Sequence, residues 1–427
     1  MMNRLPGLVV IPAACFLLVS CGVPPATSSS PSPTTPRTLT DQQVSDAQQL
    51  LRQSPRSEKG LLDLSAGYLQ KVRETGDPSY YPKVDSLLSS ALQRDPGSFE
   101  GTVLEATLKL ARHDFLAGLD WGQKAHALRP SNSAPYGAIV DAEVELGRYE
   151  AAGRDTQSMV DLRPDLTSYS RVSYYRELHG DVDGAITAMK QAVVAGGAFP
   201  ENVAYVQVLL GNLYFNRGDL ASAEEQYRQA LGAYPGYVHG LAAMGLLRAA
   251  QGRYPEALKL YQQAVNVYPL PQYVIGEGDV YSVSGEARMA ANTYDLAAAE
   301  QQLYRANGVD LDQELALFQA DHMRDLPGAL DASRRAVTKR PSIFSSDGLS
   351  WVLYQTGDYL GALAASQQAL RLGTRDALFY FHRGMIESRL GTSVIARTDL
   401  STALAINPHF SLLWAGPLQA ELHRLGG

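Results

Sequence analysis

The chain has 427 residues, 45% hydrophobic and 19% charged, a balance that suits a folded protein rather than a disordered one. A net charge of −7 argues against a nucleic-acid binder, which carries a basic face. Both cysteines, Cys15 and Cys21, lie at the extreme N-terminus, so the rest of the chain has no disulfide framework and no cysteine-based metal site.

Arg4 gives a positive flank to an apolar run, Leu5 to Val19, which is too short and too proline-broken for a spanning helix. The run ends in Leu18-Val19-Ser20-Cys21, which resembles the bacterial lipobox. That resemblance implies a signal peptide over 1–20, a diacylglycerol on Cys21, and an extracytoplasmic chain in the bacterial cell envelope, lipid-anchored to a membrane. An ordinary secretory signal that contains Cys21 is the alternative. Pro24, Pro25, Pro31, Pro33 and Pro36 lie in a Ser/Thr-rich stretch up to Thr40, so 21–40 reads as the lipidated cysteine and a disordered linker. In polyproline form it would hold the folded body up to about 50–60 Å from the bilayer.

Helical patterning starts near Thr40, a predicted N-cap, and the first helix runs through Leu51. Gly60 to Val72 and Lys83 to Arg94 form the first predicted hairpin, joined by a long connection from Glu74 to Tyr81. The chain nearly copies itself between Val203 and Pro269. Gly211 and Gly245, Ala223 and Ala257, Tyr227 and Tyr261, Ala230 and Ala264, and Pro235 and Pro269 are each 34 residues apart. The same glycine position falls at Ala106, Val140, Ser173, Gly278, Leu317, Ser350 and Gly384. Two steps are long, and the extra residues are assigned to inter-repeat loops at Gly196-Gly197 and Ala306-Asn307-Gly308. Small residues let paired helices approach closely, the tyrosines fill the wider gaps, and the prolines stop the second helix. One such unit cannot bury its apolar faces alone, so neighbours must stack. The predicted fold is an all-α right-handed solenoid of about ten hairpins over 41–408, closed by a C-terminal capping helix within 409–427.

Leu210-Gly211-Asn212-Leu213-Tyr214 followed by Ala223-Ser-Glu-Glu-Tyr227 and Pro235 resembles the tetratricopeptide repeat family, with Gln207 where the signature tryptophan would stand. The resemblance spans roughly Gly60 to Pro408. It implies a non-catalytic protein-interaction scaffold that takes a peptide or helix of an envelope partner in a concave groove. It places Tyr205, Asn212, Phe215 and Asn216 on that groove in the central copy. Phe318, Asp321 and His322, then Phe344, Trp351 and Tyr354, then Phe381 and Arg389 follow in the C-terminal units. Aromatics mixed with polar groups have the composition of interface hot spots. For Phe318, Trp351 and Phe381 two readings stand side by side, groove residues and gap-fillers between successive helices. A small-ligand or glycan site on the aromatic C-terminal groove is the alternative function.

Nothing in the chain has the spacing of a catalytic or metal centre. No two of the eight histidines stand four apart, and no phosphate loop or nucleophile elbow occurs. Gly276-Glu277-Gly278 reads as repeat packing rather than a dinucleotide fingerprint. Asp321-His322 is weighed as half of an acid–base pair and preferred as a groove dipeptide. No cofactor, metal or nucleic-acid partner is expected.

Overall fold

The computed structural model describes residues 38–197 and 199–426, so the signal segment, Cys21 and the linker up to residue 37 lie outside the described residues. All regular structure among the described residues is helical. A lone α1 (Leu39–Gln53) precedes ten helical hairpins. Hairpins 1 to 3 pair α2 (Glu58–Thr75) with α3 (Tyr80–Arg94), α4 (Phe99–Ala111) with α5 (Phe115–Leu128), and α6 (Ala134–Glu145) with α7 (Tyr149–Leu162). Hairpins 4 to 6 pair α8 (Leu166–Leu178) with α9 (Val182–Ala195), α10 (Pro200–Asn216) with α11 (Leu220–Ala233), and α12 (Val238–Ala250) with α13 (Tyr254–Val267). Hairpins 7 and 8 pair α14 (Pro271–Val283) with α15 (Ala287–Ala306) and α16 (Asp312–Asp321) with α17 (Leu326–Lys339). Hairpins 9 and 10 pair α18 (Ile343–Thr356) with α19 (Tyr359–Ala369) and α20 (Ala377–Arg389) with α21 (Ser393–Ile406), and α22 (Ala415–Arg424) caps the end.

Local chemistry explains the helix boundaries. Thr38, not Thr40, caps α1, through a reciprocal capping box with Asp41. Thr40 is buried inside the helix and donates to Glu74. Asp114, Asp181, Asp219, Asp325 and Asp358 each start the second helix of a hairpin by accepting a backbone N–H from three residues on. The two long repeat steps go mostly into helix rather than loop, stretching α10 to 17 residues and α15 to 20.

The small-residue positions have the expected packing role. A Cβ on Gly211 would fall 2.3 Å from the Tyr227 ring, and one on Gly278 would fall 2.4 Å from Tyr294. Tyr227 in turn donates its hydroxyl to Asn212 at 2.8 Å, and Tyr294 to Asp279 at 2.9 Å. One hairpin therefore locks through a ring over a glycine and a hydroxyl on the facing helix.

The hairpins wind into two stacked coils. The turn inside each hairpin of the first coil docks on the loop that follows the hairpin five places later. Tyr304 donates to the carbonyl of Gly76 in hairpin 1, beside Leu270. In hairpin 2 the carbonyl of Arg112 accepts from the Asp310 N–H at 3.0 Å, and His113 donates to the Asp310 carbonyl at 2.5 Å. Tyr149 of hairpin 3 accepts from the Ile343 N–H at 2.7 Å. Thr374 donates to Leu178 of hairpin 4, and Asn407 to Phe215 of hairpin 5 at 3.0 Å. Tyr304, Thr374 and Asn407 thus bring second-coil side-chain donors to carbonyls at the ends of first-coil helices, where the intrahelical ladder stops. Apolar packing seals the same seam, with Val144, Tyr149 and Leu178 against Ile343, Phe344 and Phe379.

Candidate partner-binding site

The first helices of the hairpins line the inside of the coil, and most of the expected groove positions are covered there. Arg73 of α2 reaches across to α10, where it donates to Glu201 at 3.1 Å and stacks 5.0 Å from the Tyr205 ring. Tyr237 donates to the same Glu201 at 2.7 Å. An arginine brought out of water in this way is stable only because the carboxylate and two rings replace its solvent. Tyr205, Asn212 and Phe215 are buried, and Asn216 is half-buried with its amide on Glu177 at 3.3 Å.

The same holds for the C-terminal aromatics. Phe318 is 2% exposed, against Tyr294 and His322. Trp351 is 0% exposed, stacked between Tyr354 at 4.8 Å and His382 at 4.3 Å. Phe381 is 0% exposed and packs on Phe410, and Phe344 packs on Phe379 in the seam. The expectation that Tyr205, Phe215, Phe318, Phe344, Trp351 and Phe381 present to a partner is therefore corrected. They fill the gaps between neighbouring helices and coils. Nor does a ring face remain open there for a sugar to stack on.

Trp414, just before α22, plugs the inner face at the C-terminal end. Its indole N–H donates to Asp321 at 2.9 Å, and the Trp351 indole donates to the same carboxylate oxygen at 2.9 Å. Burial raises the Asp321 carboxyl above the usual range, against the pull of His322 and His382. His322 points elsewhere: its Nδ1 donates to the Phe318 carbonyl at 2.7 Å and its Nε2 meets Asp279 at 2.8 Å. Burial alone would lower the His322 pKa, but the hydrogen bond and charge of Asp279, with Asp321, outweigh it and raise it. Asp321-His322 is thus two separate structural contacts and not an acid–base couple. Neighbouring His382 bonds Asp347 at 2.9 Å through Nδ1, and its buried Nε2 has no protein partner. Among the described residues no group of three or more His, Cys, Asp or Glu is placed to hold a metal ion.

At hairpin 10 the lining is more accessible. Leu378, Met385 and Ser388 are half-buried on α20 and Arg389 is exposed, while Phe381 alone of that set is covered. Arg389 leans on the Tyr354 hydroxyl at 3.3 Å, and Ser388 meets Glu421 of α22. The result is an apolar strip with a cation at its end. Sequence pattern pointed to Arg389 and Tyr354 but missed Trp414 and Arg73, whose contacts lie far along the chain. Trp414 is one of only three tryptophans, which was the available signal.

Residues 178–238 and 208–275 match the family model described as tetratricopeptide repeat. The human protein O-mannosyl-transferase TMTC1 is 27% identical over 219 residues, which is 48% of this chain and 23% of that protein. The chain thus spans less than a quarter of that curated relative. Among solved structures, a tetratricopeptide repeat protein from Parabacteroides merdae is 17% identical, covering 61% of this chain and 99% of that one, with a TM-score of 0.36. The Cut9–Hcn1 hetero-tetramer of the APC/C gives 12% identity, 90% and 92% coverage and a TM-score of 0.35. MamA gives 20% identity, 38% and 93% coverage and a TM-score of 0.30. Among the described residues no helix is long and apolar enough to cross a membrane.

Proposed function

We propose that this tetratricopeptide repeat protein is a non-catalytic interaction scaffold, tethered through Cys21 to a bacterial membrane, which grips an envelope protein at the open C-terminal mouth. The carrying observation is the burial profile of the inner face, where the large aromatics of hairpins 5 to 9 are covered while Leu378, Met385 and Ser388 are half-buried and Arg389 is exposed. Methionine adapts to irregular apolar surfaces, and arginine pairs with carboxylates in a fixed fork. A peptide or helix with an apolar face and an acidic group fits this strip. A rigid solenoid gives up little of its own freedom on binding, and a lipid tether raises the effective concentration near a membrane partner.

The test is crosslinking in cells from a photoreactive residue at position 385, in an otherwise wild-type chain and in one carrying Arg389→Glu. Support is a discrete adduct that weakens about tenfold or more with Arg389→Glu. The absence of any adduct, or one indifferent to the charge reversal, defeats the mouth as the site. Metabolic labelling with a radioactive fatty acid tests the tether separately, and Cys21→Ser is expected to abolish the label.

A further inference from the structure

The segment after hairpin 10 reaches further than a cap on the last hairpin needs to. A helix that only closed the stack would meet its neighbours α20 and α21. Trp414 instead touches three first helices in turn. Asp321 of α16 accepts its indole N–H at 2.9 Å, and the rings of Trp351 in α18 and Phe381 in α20 lie 5.1 Å and 6.0 Å away. That is the contact pattern of a segment laid along the inner face. We propose that α22 and Trp414 form an internal ligand, which occupies the inner end of the partner's site until a partner helix with the same side chains displaces it. The inference rests on the C-terminal mouth as the partner's site and extends that site inward, beneath Trp414.

The occupant shows what the site accepts. Trp414, Leu418 and Glu421 are spaced four and three residues apart, on one helical face. Trp414 gives its N–H to Asp321, Leu418 is wholly buried, and Glu421 accepts from Ser388. Arg424, then Ser388 and Arg389, hold the Glu421 carboxyl ionised, down at about 2. A partner helix with a tryptophan, a leucine four residues on and a glutamate seven on reproduces these contacts, and its glutamate meets the same arginine at the mouth.

Two observations mark the occupant as replaceable. Leu418 is the one buried residue among the ten of α22, and Trp414 at the N-cap makes no side-chain capping bond. A helix with so few buried apolar contacts opens locally at little cost. The site also keeps an unmet polar atom with α22 in place. His382 is wholly buried, stacked 4.3 Å from Trp351 and 5.6 Å from Phe381, and its Nε2 has no protein partner. Buried polar atoms are ordinarily paired, so α22 satisfies this pocket only in part.

The test titrates a fluorescein-labelled peptide of sequence 410–425 into the purified full-length chain, read by anisotropy. Wild type, with its own α22 docked, should bind weakly, because only the opened fraction is competent. Trp414→Ala, and separately Leu418→Glu, should bind the peptide about tenfold or more tightly than wild type while keeping the helical signal. Replacing the peptide's tryptophan by alanine, or adding Arg389→Glu to the Trp414→Ala chain, should remove that gain. In unaltered chain, amides 419–424 should exchange hydrogen about tenfold or more faster than those of α20. No gain in either opened variant, a gain indifferent to the peptide's tryptophan, or protection of 419–424 equal to that of α20 would each overturn the proposal. The probe is a purified peptide, so these results stand apart from the crosslink at position 385: a failure here removes the internal ligand, and a missing adduct in cells removes the mouth.

Discussion

The side-chain amide of Asn407 donates to the main-chain carbonyl of Phe215 at 3.0 Å, across 192 residues of sequence. Both groups are buried, so the bond ties the last hairpin's loop to the turn of the fifth and holds one coil on the other. The Phe215 carbonyl also accepts the Gly218 N–H at 2.9 Å, so Asn407→Ala removes one of its donors and costs about 0.5–1.5 kcal/mol, the net worth of one hydrogen bond. Urea unfolding gives the loss, and hydrogen exchange should show it concentrated at the end of α10 and the loop after α21.

Glycine replacements separate the seam from backbone strain. Gly357→Ala, in an open turn, carries only the left-handed penalty of about 1–2 kcal/mol. Gly180→Ala carries that and the clash with the Gly373 carbonyl. Denaturation should therefore find Gly180→Ala the more damaging of the two, by at least about 1 kcal/mol.

The repeat plan was legible in the sequence because its contacts are local. Gly211 and Tyr227 are 16 positions apart, and their pairing recurs 34 residues on as Gly245 and Tyr261. Hairpin boundaries and the capping helix follow from the same period. The seam was not legible, since its partners lie 192 to 228 residues apart and carry no periodic mark. One trace exists: the unit ending near Thr374 lacks its closing proline, and that loop supplies a buried hydroxyl to the other coil. The groove residues were assigned from repeat position, which fixes the direction of a side chain but not what lies opposite. Here Arg73 and Trp414 lie opposite.

Asp321 holds two indoles at once, so Asp321→Ala should cost about 1–3 kcal/mol for each N–H left unpaired. Tryptophan emission should shift to the red as Trp414 and α22 loosen, with the helical signal of hairpins 1 to 7 retained.

His239 is expected to limit acid stability. Burial is the main cause of a pKa pulled down to about 4, and the charge of Glu201 only partly offsets it. The neutral ring accepts the Tyr273 hydroxyl at Nδ1 and donates to the Arg73 carbonyl. Between about 6.5 and about 4 the unfolded chain binds the extra proton, so stability falls as pH falls through that window. The full difference is about 3 kcal/mol, and His239→Gln should flatten this part of the melting profile.

Two carboxyl pairs recur at one repeat position, Glu143 with Asp155 and Glu387 with Asp399. Burial, with the neighbouring aspartate, raises Glu143 to about 8 and Glu387 to about 7. A raised carboxyl keeps its proton in the native state, so stability falls as pH rises from about 4.5 through those values. Glu143→Gln should melt a few degrees higher than wild type at pH 8.5 and match it at pH 5.

The stacked coil is tested most directly by the distance between spin labels at His179 and Arg375, both exposed and adjoining across the seam. Double electron–electron resonance should give one short, narrow distribution, as for neighbours on a single surface. A broad distribution, or a separation of a whole superhelical pitch, would mean that the hairpins form an open spiral with an accessible groove, and would contradict the sealed two-coil account.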